Sequence, residues 1–171
     1  MERSEIGRRR RWVIKIGSSL LTDQGQAIAH ASVAKWAAQI AVLRQRGIEV
    51  IIVSSGAVAA GMLRLGLKGR PEGLAQLQAA ASVGQLDIAH LWDQALAAHK
   101  LTAAQILLTH EDAADRQRFL NARNTLRALL DWGVVPVVNE NDTVASDEIR
   151  FGDNDTLAAM TAELCSADML V

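Results

Sequence analysis

The feature that most constrains the fold is a regular alternation of short apolar runs with longer helical patterns. The runs are nearly continuous, as in strands buried on both faces of a parallel sheet, and lie at residues 12–16, 49–53, 104–108 and 134–138. Between and after them, apolar residues recur at helical spacing over residues 32–46, 57–65, 74–99, 112–132 and 155–166, before a last strand starts at 168–171. This alternation predicts an α/β fold with a parallel or mostly parallel sheet.

The connections between these elements are less regular. Residues 20–30 are predicted to form an irregular connection, and residues 145–151 are predicted to form a hairpin before the last helix. Gly84 is a point at which the long helix over residues 74–99 can divide, because glycine weakens a helix interior.

Length and composition favour a single domain without a membrane span or an internal disulfide. The 171 residues suffice for one core, and half of them are hydrophobic. The formal net charge of −1 gives no reason to expect a polyanionic partner. No apolar run approaches the roughly 20 residues that a transmembrane helix needs. The single cysteine, Cys165, lies in a helical apolar pattern, so we expect a buried thiol in a cytoplasmic protein.

Residues 1–11 are expected to be a disordered, solvated lead-in to a domain that starts at residue 12. They include four consecutive arginines, Arg8 to Arg11, and no apolar segment follows them as in a signal peptide. Such a cluster can also contact nucleic acid or lipid headgroups, and steeply salt-dependent binding of DNA or RNA would reveal that role. Nothing else in the chain is basic and aromatic together, so the lead-in is the favoured interpretation.

Small and polar residues follow three of the predicted strands at the point where each strand ends. They are residues 15–19, 54–56 and 139–142, and a further cluster at residues 152–155 opens the last helix. Asn, Asp and Ser also cap helices and form turns for purely local reasons, which is the alternative interpretation. In parallel sheets, however, ligands bind beyond the carboxyl ends of the strands. If the three strands are neighbours, their polar ends converge, and we therefore expect a small-molecule site.

The polar clusters suit the binding of a phosphate and a small zwitterion. A strand followed by a small-residue loop brings backbone N–H groups close to a phosphate, and Lys15 adds a fixed positive charge, although neither GxxxxGK[ST] nor GxGxxG is present. Phosphoryl transfer depends mainly on positioning and charge neutralisation. Asp142 can pair with an ammonium group, while amides and helix-start N–H groups can hold carboxylates. Acidic residues can also hold Mg²⁺, which usually arrives on nucleotide phosphates.

Five short motifs occur in order along the chain. They are KIGSS at residues 15–19, SSGAVAAG at 54–61, RFLNAR at 118–123, VVNEND at 137–142 and FGDND at 151–155. In this combination the chain resembles the glutamate 5-kinases, which belong to the amino acid kinase family, and it resembles aspartokinases and acetylglutamate kinases less. The resemblance implies a three-layer α/β/α sandwich that transfers the γ-phosphoryl group of ATP to the γ-carboxylate of L-glutamate, the first step of proline biosynthesis.

The resemblance also implies roles for individual residues. Lys15 is similar to a lysine that contacts the phosphates and stabilises the transition state, and Asp155 to an aspartate that orients the catalytic lysines. Gly17 and Ser18 join Lys15 in the ATP-binding loop. The predicted glutamate site consists of three principal and four neighbouring positions: Ser55, Asp142 and Asn154, with Gly56, Ala57, Asn139 and Asp153 close by.

Further expectations from the resemblance concern ligands and assembly. ATP is the expected cofactor, Mg²⁺ is carried with the nucleotide, and no metal ligand is assigned in the protein. Feedback inhibition by proline, a homo-oligomer and a cytoplasmic location are expected, with no nucleic-acid or membrane partner.

The chain departs from the family pattern by stopping at Val171. In the family, the nucleotide half of the domain follows that point, and many members carry a PUA domain after it. Residues 12–171 are therefore expected to form the acceptor-binding part and to have little kinase activity alone. Two alternatives remain open: a family member with a different acceptor, such as aspartate, carbamate or N-acetylglutamate, and a non-catalytic domain that binds glutamate or proline.

Overall fold

The computed structural model describes residues 9–23, 27–145 and 153–171, so residues 1–8 of the predicted lead-in and most of the hairpin predicted over residues 145–151 lie outside the described residues. The strands are β1 (Arg11–Ile16), β2 (Glu49–Ser54), β3 (Ala103–Leu108), β4 (Val135–Glu140) and β5 (Met169–Leu170). The helices are α1 (Ser18–Leu21), α2 (His30–Gln45), α3 (Ala57–Leu65), α4 (Leu74–Ala97), α5 (His110–Ala114), α6 (Arg116–Asp131) and α7 (Asp153–Cys165). Among these described helices, none is long and apolar enough to cross a membrane.

The five strands form one sheet in the order β3-β4-β2-β1-β5, and all neighbouring strands are parallel. Lys15 of β1 lies beside Val53 of β2, and Ile16 lies beside Ser54. On the other side of β2, Val53 lies beside Val138 of β4. The strands β1, β2 and β4 are therefore neighbours, and their carboxyl ends lie at one rim of the sheet, as the predicted convergence requires.

Helices cover both faces of the sheet, and the predicted three-layer α/β/α fold is confirmed. Side chains alternate between the two faces along each strand. Val50 and Ile52 of β2 belong to a core shared with α2 and α4, whereas Ile51 and Val53 belong to a core shared with α6 and α7. All four residues are fully buried. The central position of β2 thus explains its nearly continuous apolar sequence.

Helices α3 and α4 approach so closely that backbone touches backbone. A Cβ atom added at Gly84 of α4 would lie 1.9 Å from the carbonyl oxygen of Ala57, and one added at Gly61 of α3 would lie 1.8 Å from that of Ala80. Neither position has room for a side chain. The sequence allowed a division of the long helix at Gly84, but α4 is continuous, and glycine serves the close approach of the two helices.

The single helix predicted over residues 112–132 is instead two helices, α5 and α6. Asp115 is extended and separates them, and its carboxylate accepts the N–H of Arg118 at 2.8 Å. Thr109 and Asp112 form a reciprocal capping box at the start of α5. Two local caps therefore override an apolar periodicity that continues across the break.

Both ends of β1 also differ from the prediction. Residues 18–21 form the helical turn α1, part of which lies in the stretch predicted to be irregular. At the other end, β1 begins at Arg11, one residue before the predicted domain start. The N–H groups of Arg10 and Arg11 donate to the carboxylate of Asp168 at 2.8 and 3.0 Å, which ties these arginines to the sheet. The same bonds lower the pKa of Asp168.

Cys165 is a buried thiol, as its place in an apolar helical pattern predicts. The residue is fully buried in the core between the sheet and α7. Burial raises its pKa from 9.0 to about 11, against the opposing effect of the nearby Arg11. The thiol is therefore protonated at neutral pH and poorly suited to act as a nucleophile.

Candidate active site at the carboxyl rim of the sheet

Three helices begin at the rim where β1 and β2 end. Helix α1 starts at Ser18 directly after β1, α3 starts at Ala57 directly after β2, and α7 starts at Asp153. Asn154, the second residue of α7, contacts the end of β2, and Asp155, the third residue, contacts Lys15 of β1. The first N–H groups of a helix have no partner within it and carry the positive end of its dipole. The rim therefore offers backbone donors that suit anions.

Lys15 extends from β1 to the start of α7. Its side chain leaves the sheet on the same face as Val13, which belongs to the core formed with α7. The Nζ atom lies 2.6 Å from Oδ1 of Asp155. A Cβ atom added at Gly17 would lie 3.8 Å from Nζ, so the ammonium group also lies beside the loop that opens α1. The Asp155 side chain is 72% exposed and that of Lys15 27%, which leaves the pair accessible to a ligand.

A second contact joins α7 to the end of β2. The amide nitrogen of Asn154 donates to Oγ of Ser55 and, at 3.2 Å, to the backbone carbonyl of Ser54. The N–H of Ser55 donates to the carbonyl of Ile16 at 3.1 Å. Ser55 is buried, so these bonds fix β1, β2 and α7 relative to one another next to the Lys15 ion pair.

Gly56 turns the chain from β2 into α3. Its φ of 95° lies in the left-handed region, which glycine adopts without steric cost. A Cβ atom at this position would lie 3.5 Å from the Cα atom of Ser18. The start of α3 at Ala57 therefore lies beside the loop after β1, and the residues predicted to bind ATP adjoin residues predicted to bind glutamate.

The other face of the rim is neutral and buried. Oγ of Ser54 accepts the indole N–H of Trp92 at 3.2 Å. The amide nitrogen of Asn139 donates to Oε1 of Gln85 at 2.5 Å, and Asn139 is 2% exposed. Both partners belong to α4. The side chain of Asn139 thus turns to α4, on the opposite face of the sheet from Lys15.

Asp142 lies in the turn that follows β4. The N–H groups of Val144 and Ala145 both donate to the carbonyl of Asn141 at 3.1 Å, which closes this turn around Asp142. The Asp142 side chain is half-buried. Asp153, the remaining predicted residue, is the first residue of α7. The structure therefore places Asp142 beyond β4 and Asp153 beside the α7 contacts.

This arrangement can stabilise negative charge beside neutral hydrogen-bonding groups. The ammonium group of Lys15 and the helix starts supply positive potential at a partly desolvated rim, where such interactions are stronger than in water. The Asn154 amide and the Ser55 hydroxyl add neutral donors and acceptors. The rim therefore suits a small anionic molecule held next to a phosphate.

The sequence did not reveal the part that α4 plays at this rim. The apolar positions of α4 predicted only a stripe that faces the core. Gln78, Ser82 and Gln85 form a parallel polar stripe at i, i+4 and i+7. This spacing was the available signal, but a polar stripe on a helix usually faces solvent.

Known proteins match nearly the whole chain. The model of the amino acid kinase family matches residues 10–171 of the chain. The chain belongs to the amino acid kinase family. Over 169 residues it is 59% identical to the glutamate 5-kinase of Halorhodospira halophila and 59% identical to that of Thioalkalivibrio sulfidiphilus. These matches cover 99% of the chain and 45% of each relative, so the chain spans less than half of their length.

A solved structure shows the same fold at much lower sequence identity. The carbamate kinase of Giardia superposes with a TM-score of 0.64 at 15% identity, over 95% of this chain and 72% of that protein. This chain and that structure thus share one fold.

Proposed function

We propose that this chain forms the acceptor-binding part of an ATP-dependent glutamate 5-kinase. The reaction transfers the γ-phosphoryl group of ATP to the γ-carboxylate of L-glutamate and gives L-glutamyl 5-phosphate, the first step of proline biosynthesis. The observation that carries the proposal is the Lys15–Asp155 pair, with Nζ and Oδ1 2.6 Å apart beside the α1 loop. The names of relatives that are 59% identical over nearly the whole chain support the choice of acceptor.

The residues around Lys15 suit the phosphoryl group. In the proposal, the N–H groups at Gly17 and Ser18 and the Lys15 ammonium hold the phosphates, and Asp155 orients Lys15. A γ-carboxylate oxygen of glutamate attacks the γ-phosphorus, and the bond to the departing ADP oxygen breaks. The attacking carboxylate is already ionised at neutral pH, so the step needs no general base. Lys15 contributes by offsetting charge in the transition state.

The residues around Asn154 suit the acceptor. We assign Ser55, Asn154 and Asp142 to glutamate binding, with Asp142 pairing with its ammonium group. Four neighbouring positions support the pocket: Gly56, Ala57 and Asp153 adjoin it in the proposal, and Asn139 holds the end of β4 through its bond to Gln85. In the proposal, the N–H groups at the starts of α3 and α7 bind the carboxylates of glutamate.

The nucleotide brings Mg²⁺ with it in this proposal. No residue of this chain is assigned as a Mg²⁺ ligand in the proposal, and Asp155 keeps its ion pair with Lys15. When bound on the phosphates, the ion neutralises part of their charge.

We extend the proposal to the organisation of the whole protein. Residues 12–171 are the acceptor-binding part, and the rest of the nucleotide site belongs to the segment that the longer relatives carry beyond it. Feedback inhibition by proline, a homo-oligomer and a cytoplasmic location belong to the same proposal, which includes neither a nucleic-acid nor a membrane partner.

The proposal is tested with a chain that is extended to the length of its relatives. This extended chain continues beyond Val171 with the corresponding residues of the Halorhodospira halophila relative. It is incubated with ATP, Mg²⁺, hydroxylamine and one acceptor at a time: L-glutamate, L-aspartate, carbamate or N-acetyl-L-glutamate. We expect hydroxamate with L-glutamate, and little from the 171-residue chain alone.

Two results would overturn the assignment. Product with another acceptor but not with L-glutamate would retain the family and refute the substrate. Calorimetric binding of glutamate or proline by the extended chain without any transfer would favour a non-catalytic binding domain.

A further inference from the structure

One edge of α4 follows the end of β4 and the described segment after it, residues 139–145. Gln85 accepts the amide N–H of Asn139 at 2.5 Å. One turn earlier, the Ser82 hydroxyl lies 3.0 Å from that of Thr143. A further turn earlier, the amide of Gln78 donates to the carbonyl of Ala145 at 3.2 Å. Helix and segment therefore run in opposite directions and meet at three successive points.

The spacing of these contacts is that of a single helix face. Residues at i, i+4 and i+7 lie above one another on an α-helix. We name Gln78, Ser82 and Gln85 the α4 polar stripe. Each of its members contacts the one segment, residues 139–145, so the stripe is matched to that segment.

Helix α4 is itself fixed against the start of α3. Gly84 lies between Ser82 and Gln85, and a Cβ atom there would lie 1.9 Å from the carbonyl oxygen of Ala57. One turn of α4 therefore contacts both the start of α3 and the segment after β4. Both of these parts of the rim carry residues that the proposed function assigns to glutamate binding.

We propose that the α4 polar stripe is a set of positioning residues that sets the acceptor affinity of this site. This inference rests on the proposed function. Asp142 lies between the anchored Asn139 and Thr143, so the stripe fixes the backbone that carries the Asp142 carboxylate. None of the three stripe residues is assigned a contact with the substrate. Their effect is on where Asp142 lies relative to the α3 start.

The anchoring is tested by hydrogen exchange on the 171-residue chain without any ligand. The variants are Gln78→Ala and Ser82→Ala. Gln94→Ala is the matched control, because it removes an α4 amide that is hydrogen-bonded to His90. We expect the N–H groups of residues 144 and 145 to exchange about tenfold faster in the Gln78→Ala and Ser82→Ala variants. Unchanged exchange in both would overturn the anchoring.

The effect on affinity is tested by steady-state kinetics of the extended chain. Removing an interaction that positions the substrate in both ground and transition states raises KM and leaves kcat unchanged. We expect Gln85→Met and Ser82→Ala to raise the KM for L-glutamate about tenfold with kcat within about threefold. The conservative variants Gln85→Glu and Ser82→Thr keep the acceptor and the hydroxyl, respectively. Their KM for L-glutamate should therefore stay close to that of the parent extended chain.

The two proposals fail in different ways. If the parent extended chain does not use L-glutamate, the proposed function is wrong, and the exchange rates still decide whether the stripe anchors the segment. If the parent uses L-glutamate but the stripe variants change kcat alone, or their conservative counterparts do not keep the KM of the parent, the positioning role is wrong.

Discussion

The two faces of the rim are built from different kinds of interaction. On the α7 face, Lys15 and Asp155 form an ion pair whose carboxylate side chain is 72% exposed. On the α4 face, Trp92 and Asn139 are 0% and 2% exposed and form neutral hydrogen bonds. An accessible charged pair can exchange partners when a ligand arrives, whereas breaking a buried neutral bond leaves unsatisfied polar groups. The α7 face is therefore suited to chemistry, and the α4 face to holding geometry.

This contrast predicts that stability depends on the α4 face most strongly where backbones touch. Gly84→Ala should lower the free energy of unfolding by about 3 kcal/mol or more, because a new Cβ atom would meet a carbonyl oxygen at 1.9 Å. Urea denaturation of the chain measures the effect. Gly69→Ala is the control, because a Cβ atom there meets no heavy atom within 4 Å. Equal stability losses in the two variants would show that the α3–α4 contact yields easily.

The burial of the core between α7 and the sheet can be examined through the contribution of Cys165 to the pH dependence of stability. Its pKa is raised from 9.0 to about 11, so the unfolded thiol loses its proton at lower pH than the folded one. The contribution to stability is complete below pH 9 and is lost as the pH rises to 11, by about 2 kcal/mol. Cys165→Ala should lose less stability over this interval in urea denaturation. Parallel declines in the parent and the variant would contradict the burial of the thiol between α7 and the sheet.

The buried bond between Trp92 and Ser54 should have a smaller effect. Trp92→Phe removes the indole donor from a fully buried hydroxyl and should destabilise the chain by about 1.5 kcal/mol. Trp132→Phe serves as the control, since Trp132 is 77% exposed. Thermal or urea denaturation distinguishes them, and a Trp92→Phe variant as stable as its control would mean that this bond does not hold the α4 face.

The smallest effect on stability is expected on the charged face. Asp155→Asn should change the free energy of unfolding by less than about 1 kcal/mol, because exposed ion pairs contribute little. Urea denaturation is suitable, since urea does not screen charge. A loss as large as that of Gly84→Ala would remove the distinction between the two faces.

Much of the fold follows from local sequence patterns. The continuous apolar run of β2 predicts a strand buried on both faces, and its central position in the sheet requires that. The polar ends of β1, β2 and β4 predicted a common rim, since parallel strands end on the same side. The break at Asp115 was not predicted, because a side-chain cap changes the backbone without interrupting the apolar periodicity.

The α4 contributions could not be predicted for a related reason. The residues Gln78, Ser82 and Gln85 have the same pattern whether a helix faces solvent or a loop, and only the tertiary arrangement distinguishes these cases. Likewise, Gly84 in a helix interior has the same sequence pattern whether it breaks the helix or admits another backbone. Such choices depend on partners that are remote in the sequence.

The most direct test compares Lys15→Ala with Gln85→Met in the extended chain, with kcat and the KM for L-glutamate measured side by side. We expect Lys15→Ala to lower kcat about 100-fold to 1,000-fold and to change KM less than about threefold, because Lys15 acts mainly in the transition state. For Gln85→Met we expect the reverse, a raised KM with nearly unchanged kcat. If both variants lost only ATP affinity, or if the two patterns were exchanged, the division of the rim into a chemical face and a positioning face would be wrong.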